Sequence, residues 1–183
     1  MDKWFDNKFR KENVRKYTSR HLSQKRKISF FENLSVNITL ILINLVAFIL
    51  FSILIALNIF GVEFIAIKPS NILAGKYLWT FLTSMFMHGG FFYLFANMLS
   101  LMFIGPLIER IIGPKRYLYF YLGSGLFAGL FFVLASLVFV ADMNMFAVGA
   151  SGALFGLVGL LTLLTPNLSV YIMFIPIPIK MKY

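Results

Sequence analysis

Val36–Phe60 is a run of 25 mostly apolar residues, interrupted by Asn37, Thr39, Asn44 and Ser52. At about 1.5 Å per residue, a helix of that length exceeds the roughly 30 Å hydrocarbon core of a bilayer. Two more long apolar runs follow, Phe91–Ile108 and Tyr117–Val140, with Glu109–Arg116 between them read as a short charged turn. Lipid offers backbone groups no hydrogen-bond partners, so segments like these are expected to cross it as helices. The composition agrees: 60% of the 183 residues are hydrophobic and mean hydropathy is +0.83, against about 45–50% apolar in soluble domains. The reading is an all-α polytopic membrane protein.

Charge divides the chain in two. Residues 1–34 hold ten Lys/Arg and four Asp/Glu, while the remaining 149 hold seven and three. We read 1–35 as a basic cytoplasmic tail and 36–183 as a membrane domain. The net charge of +10 then points to the anionic inner leaflet and not to nucleic acid. The first apolar run begins after about 35 residues, so it is expected to be an uncleaved anchor and not a signal peptide. Cysteine is absent, which excludes disulfides and thiol chemistry. Basic residues cluster in the tail, at Arg110–Arg116 and at Lys180–Lys182; the positive-inside rule puts all three in the cytoplasm. Four spans satisfy that arrangement. The connection Gly61–Met87, too interrupted for a span, is expected to be an interfacial, partly helical loop on the outer side.

The fourth span is unusual. Ser151–Leu164 is 14 residues before Pro166, roughly 21 Å of helix, about 9 Å short of the core thickness. Ser151 should therefore lie just below the outer surface. Gly152, Gly156 and Gly159 leave one face of this helix nearly bare, and close packing by another helix is expected there. No segment after Pro166 is an obvious partner, because Pro176 and Pro178 interrupt the apolar stretch that follows.

Three polar positions converge at that depth: His88, the i, i+4 pair Tyr93 and Asn97, and Ser151. Each has a structural reading. Asn97 suits interhelical bonding, Tyr93 an interface aromatic, His88 a loop residue capping span two, and Ser151 an N-cap. Asn44, near mid-span in the first helix, should face other helices. Polar groups inside spans are more often functional than surface ones, and their coincidence at one level carries more weight than any one of them. A channel would need a polar-lined path, which spans three and four do not offer.

The stretches Trp79–His88, Asn97-Met98, Gly105 with Glu109-Arg110 and Gly113, Gly149–Ala153 and Pro176–Lys180 resemble, in order and spacing, the rhomboid intramembrane serine proteases. The resemblance covers about residues 77–183. It implies a rhomboid-like helical bundle with a six-helix core, of which four spans are present here. In that family the fourth core helix carries the nucleophile, which falls on Ser151. Asn97, the Ser151 amide and a second-helix histidine would hold the oxyanion, so His88 and Tyr93 are also candidates. The reaction implied is acyl transfer by a Ser–His dyad on transmembrane substrates near the outer face, with no metal or cofactor. The implied partners are membrane lipid and transmembrane proteins.

Two departures stand out. Tyr93 occupies a place where the family commonly has histidine. The base histidine, on the family's sixth core helix, is not in this chain, whose histidines are His21 and His88. The expectation is a chain that stops before the last two core helices, is inactive as it stands, and is completed by a histidine beyond Tyr183. The alternative is a catalytically inactive rhomboid-like protein that binds transmembrane helices.

Overall fold

The computed structural model describes residues 35–166 together with the backbone of 169–171 and 178–180. The expectations for the basic tail, for His21 and for Pro176-Ile177 lie outside the described residues.

The first helix, α1 (Val36–Ala56), begins at Ser35, whose hydroxyl accepts the Ile38 amide at 3.1 Å. It ends at Ala56, four residues before the apolar run does, with Leu57 as its cap and Asn58 in the left-handed region. The 61–87 connection is partly helical, as expected. It contains short 3-10 turns at Val62–Phe64 and Ser84–Phe86, and two small helices, α2 (Pro69–Leu73) and α3 (Thr80–Thr83).

The second long helix, α4 (Phe91–Ile112), corrects the sequence reading at its far end. The expected charged turn over 109–116 is instead helical, and the chain reverses at Gly113 alone before α5 (Pro114–Ser136). Gly113 takes φ +85°, a left-handed value that glycine tolerates, and Pro114 opens the next helix where a missing N–H costs nothing. Glu109 can stay helical and buried because it is fully engaged. Its two oxygens accept the Val36 and Asn37 amides at 2.8 and 3.0 Å, an anion seated on the positive end of α1. α5 stops at Ser136, and Val140–Asn144, whose first residue was read as the end of the span, forms a 3-10 turn. The short helix α6 (Ser151–Leu164) has the expected bounds. After it, β1 (Ser169–Tyr171) pairs antiparallel with β2 (Pro178–Lys180), an exception to an otherwise helical architecture.

α1, α4 and α5 are each long and apolar enough to cross a membrane, and α6 is shorter. Leu101, Ile108, Tyr117, Tyr121 and Leu157 are fully buried where α1, α4, α5 and α6 meet. Phe92, Phe103, Phe127, Phe131, Phe155 and Leu163 point outward, as a lipid-facing surface requires. Asn44 is buried, as expected, but its amide donates back to the Leu40 carbonyl of its own helix at 2.8 Å.

The glycine face of α6 needs a second correction. Its partner is not missing. A Cβ on Gly152 would meet the Ala128 methyl, and one on Gly156 would meet Ser124, both on α5. The partner precedes α6 in the chain and offers small side chains four apart. Gly159 alone of the three has open space beside it.

Candidate active site

The turn that leads into α6 is held from three sides. The Gly149 amide donates to the Ser84 carbonyl at 2.8 Å. The Ala150 amide points at His88 Nε2 at 3.4 Å. The Val148 carbonyl accepts the Tyr93 hydroxyl at 3.0 Å. A paired Ile67 and Ala147 extend the attachment toward the 61–87 connection. Gly149 has φ +111°, and any Cβ there would strike the Tyr93 phenol. Glycine is therefore demanded twice, by the backbone and by the ring lying over it.

Ser151 is the first residue of α6, and the cap position belongs to Ala150, which makes no side-chain capping bond. The N-cap reading of Ser151 thus fails. Its hydroxyl lies 2.9 Å from the Tyr93 hydroxyl. The first-turn amides of a helix have no intrahelical acceptor, and no neighbouring loop supplies one to the Ser151 N–H among the described residues. A helix start of this kind favours negative charge.

Asn97 is buried on α4. One of its amide protons goes to the Tyr93 carbonyl at 2.7 Å. A primary amide has two, so a second has no partner among the described residues. A cleft of about 230 Å³ opens between α4 and α6, lined by Tyr93, Asn97, Ser100, Ser151, Leu154 and Phe155, among others. On the other side of Ser151 lies a smaller cavity of about 150 Å³, bounded by Ser84, Met85, Gly125 and the 147–149 turn.

His88 is 1% exposed and does not cap α4, whose first turn begins after Gly90 without a side-chain bond. Its ring sits 5.5 Å from the Tyr93 ring. Burial pushes the imidazole down to about 4, against a smaller upward pull from the Phe86 carbonyl. It is therefore neutral near pH 7. Nε2 accepts the Ala150 amide, which puts the ring proton on Nδ1, an atom with no well-aligned partner.

Tyr93, Asn97 and Ser151 are thus brought together, with His88 behind them on the turn and not on the hydroxyl. The sequence reading missed the Val148 carbonyl and the Ala150 amide. Main-chain groups carry no residue-type signal, although the glycine of Gly149-Ala150-Ser151 marked the backbone that exposes them.

The Rhomboid domain model matches residues 75–182. The chain is 40% identical to the "Inactive RHOMBOID-like protein 8" of Arabidopsis thaliana over 95 residues, 51% of this chain and 25% of that protein. It is 37% identical to the "Putative rhomboid protease YdcA" of Bacillus subtilis over 81 residues, 44% of this chain and 38% of that one. With the "Rhomboid protease GluP" of the same bacterium it shares 35% over 94 residues, 51% of this chain and 17% of that one. The matches thus span about two fifths or less of these relatives' lengths. Three membrane-crossing helices, a short fourth helix and a domain match over more than half of the residues agree on one assignment. This chain is a multi-pass integral membrane protein and belongs to the rhomboid family.

Proposed function

We propose that the protein is an intramembrane serine endopeptidase with Ser151 as nucleophile. The observation that carries this is the placement of the Ser151 hydroxyl. It is not a helix cap; it lines the same cleft as Asn97, at a helix start whose Ser151 amide has no partner among the described residues. In the reaction, Ser151 Oγ attacks the carbonyl carbon of a transmembrane substrate. Its proton passes to a general-base histidine and then to the leaving amine. The free Asn97 N–H and the Ser151 amide donate to the oxyanion, and Tyr93 is a third candidate donor. His88, also a candidate from the sequence, contributes through the Ala150 amide that it accepts. Water then hydrolyses the acyl-enzyme. The basic 1–35 tail and the Arg110–Arg116 region favour a cytoplasmic N-terminus, with cleavage near the outer face.

A second reading has its own support. Tyr93 engages the Ser151 hydroxyl, and one relative is described as inactive. An inactive helix-binding protein is the alternative. The two are separated in the full-length protein by cleavage of a model transmembrane substrate and by labelling of Ser151 with a fluorophosphonate. Both are expected in the wild type and neither in Ser151→Ala. A wild type that does neither supports the binding protein.

A further inference from the structure

The Tyr93 phenol touches two groups of the Ser151 turn, and its proton can serve only one. The Val148 carbonyl, at 3.0 Å, can only accept. The Ser151 hydroxyl, at 2.9 Å, can accept or donate and has no other partner among the described residues. One assignment satisfies all three groups: Tyr93 donates to Val148, and Ser151 donates to Tyr93. The same residue is fixed at its main chain, where its carbonyl takes the Asn97 amide at 2.7 Å. Tyr93 therefore links the position of Asn97 on α4 to the position of Ser151 on α6. Gly149, lacking a side chain, lets the ring lie across the turn. At 37% exposure the phenol is open to the cleft, so a substrate carbonyl can reach Ser151 beside it.

We infer that Tyr93 is a positioning residue: it pins the Val148–Ser151 turn to α4 and holds the Ser151 hydroxyl toward α4 until substrate displaces it. The catalytic part of this rests on the protease reading above, whereas the pinning does not. Ser84 and His88 hold the Gly149 and Ala150 amides, but only Tyr93 among the described side chains holds the Val148 carbonyl. Removing the hydroxyl therefore loosens the turn without dismantling it.

The test uses the full-length protein in bilayers or detergent, as wild type, Tyr93→Phe, Tyr93→His and Ser151→Ala. Amide hydrogen exchange is read at Gly149 and Ala150. Labelling of Ser151 by a fluorophosphonate and the kcat and KM for a model substrate are read in parallel. Tyr93→Phe should speed exchange at the two amides and slow labelling and kcat roughly three- to tenfold, the weight of one hydrogen bond, with KM and the melting temperature unchanged. Ser151→Ala should leave exchange as in the wild type, because the Val148 bond survives. If Tyr93→Phe fails to fold, Tyr93→His takes its place; the shorter imidazole does not span to Val148 and should speed the same amides. Wild-type exchange and labelling in the substituted protein would overturn the inference. Faster exchange with an unchanged labelling rate would reduce Tyr93 to a structural tether and overturn the positioning role. A wild type that neither labels nor cleaves would defeat the protease reading, and exchange alone would then decide the pinning.

Discussion

Two polar clusters sit on α4, one near each end, and they differ in completeness. At the Ile112 end, Glu109 takes the Val36 and Asn37 amides, and Asn37 Oδ1 takes the Tyr117 hydroxyl at 2.8 Å. Gly105 leaves the room that the Asn37 side chain fills. Asn37 and Tyr117 are at most 1% exposed, and Glu109 is 9% exposed. None of these residues lines the cleft beside Ser151, and both Glu109 oxygens are held by main-chain amides. At the Phe91 end, one Asn97 N–H and the Ser151 amide lack acceptors among the described residues, and both residues border an open cleft. The buried acceptors of the Ile112-end cluster are satisfied and closed over, where each unsatisfied buried group would cost about 1–3 kcal/mol. Donors left free beside a cavity fit a ligand that arrives later.

The sharpest way to break this contrast is at Ser151 itself. Ser151→Ala should abolish cleavage and fluorophosphonate labelling, a loss of at least about 10³-fold, with an unchanged melting temperature. Asn97→Ala comes next. Removing an oxyanion donor costs roughly 10²–10³ in kcat, so kcat should fall by that much while KM stays near its wild-type value. A lowered melting temperature with kcat and KM preserved would make Asn97 ordinary interhelical packing and erase the difference between the two ends.

Much of this contrast could be read from residue types. The apolar runs located α1, α4, α5 and α6, and the bounds of α6 matched to the residue. Tyr93 and Asn97 four apart on one face, level with Ser151, were legible because helix period and span length fix depth. Other features were not. The helix through Glu109 and Arg110 looked like a turn, because charge in sequence reads as exposure; only the α1 N-terminus packed against Glu109 makes that carboxylate an inside residue. The partner of the α6 glycines was sought downstream, whereas Ala128 and Ser124 of α5 provide it. His88 looked like a cap on α4, but that helix starts without a side-chain cap and His88 instead accepts a main-chain amide.

His88 makes the Phe91 end sensitive to pH. Burial lowers its pKa from 6.5 to about 4, so the fold favours the neutral ring. Between those values the unfolded chain binds a proton that the folded one refuses. Stability therefore falls as pH drops from about 6.5 toward 4 and levels off below, by up to about 3 kcal/mol. The loosening should begin at the turn, since a protonated Nε2 no longer accepts the Ala150 amide. Melting temperatures at pH 7 and pH 4.5 should differ less in His88→Asn than in the wild type. An equal difference would place the pH response elsewhere.

The smallest expected effect on labelling belongs to the closed end. Tyr117→Phe removes one hydroxyl and leaves Asn37 Oδ1 buried without its donor. The cost should be about 1–3 kcal/mol, seen as a lower melting temperature. Labelling of Ser151 should not change, because nothing in the Glu109–Asn37–Tyr117 cluster borders the cleft. Tyr93→Phe should do the opposite, slowing labelling without shifting the melt. Two tyrosines on neighbouring helices, each losing a single oxygen, would then report separately on stability and on chemistry. If Tyr117→Phe also slowed labelling, the two ends of α4 would be coupled along the helix, and completeness of hydrogen bonding would no longer separate the structural cluster from the functional one.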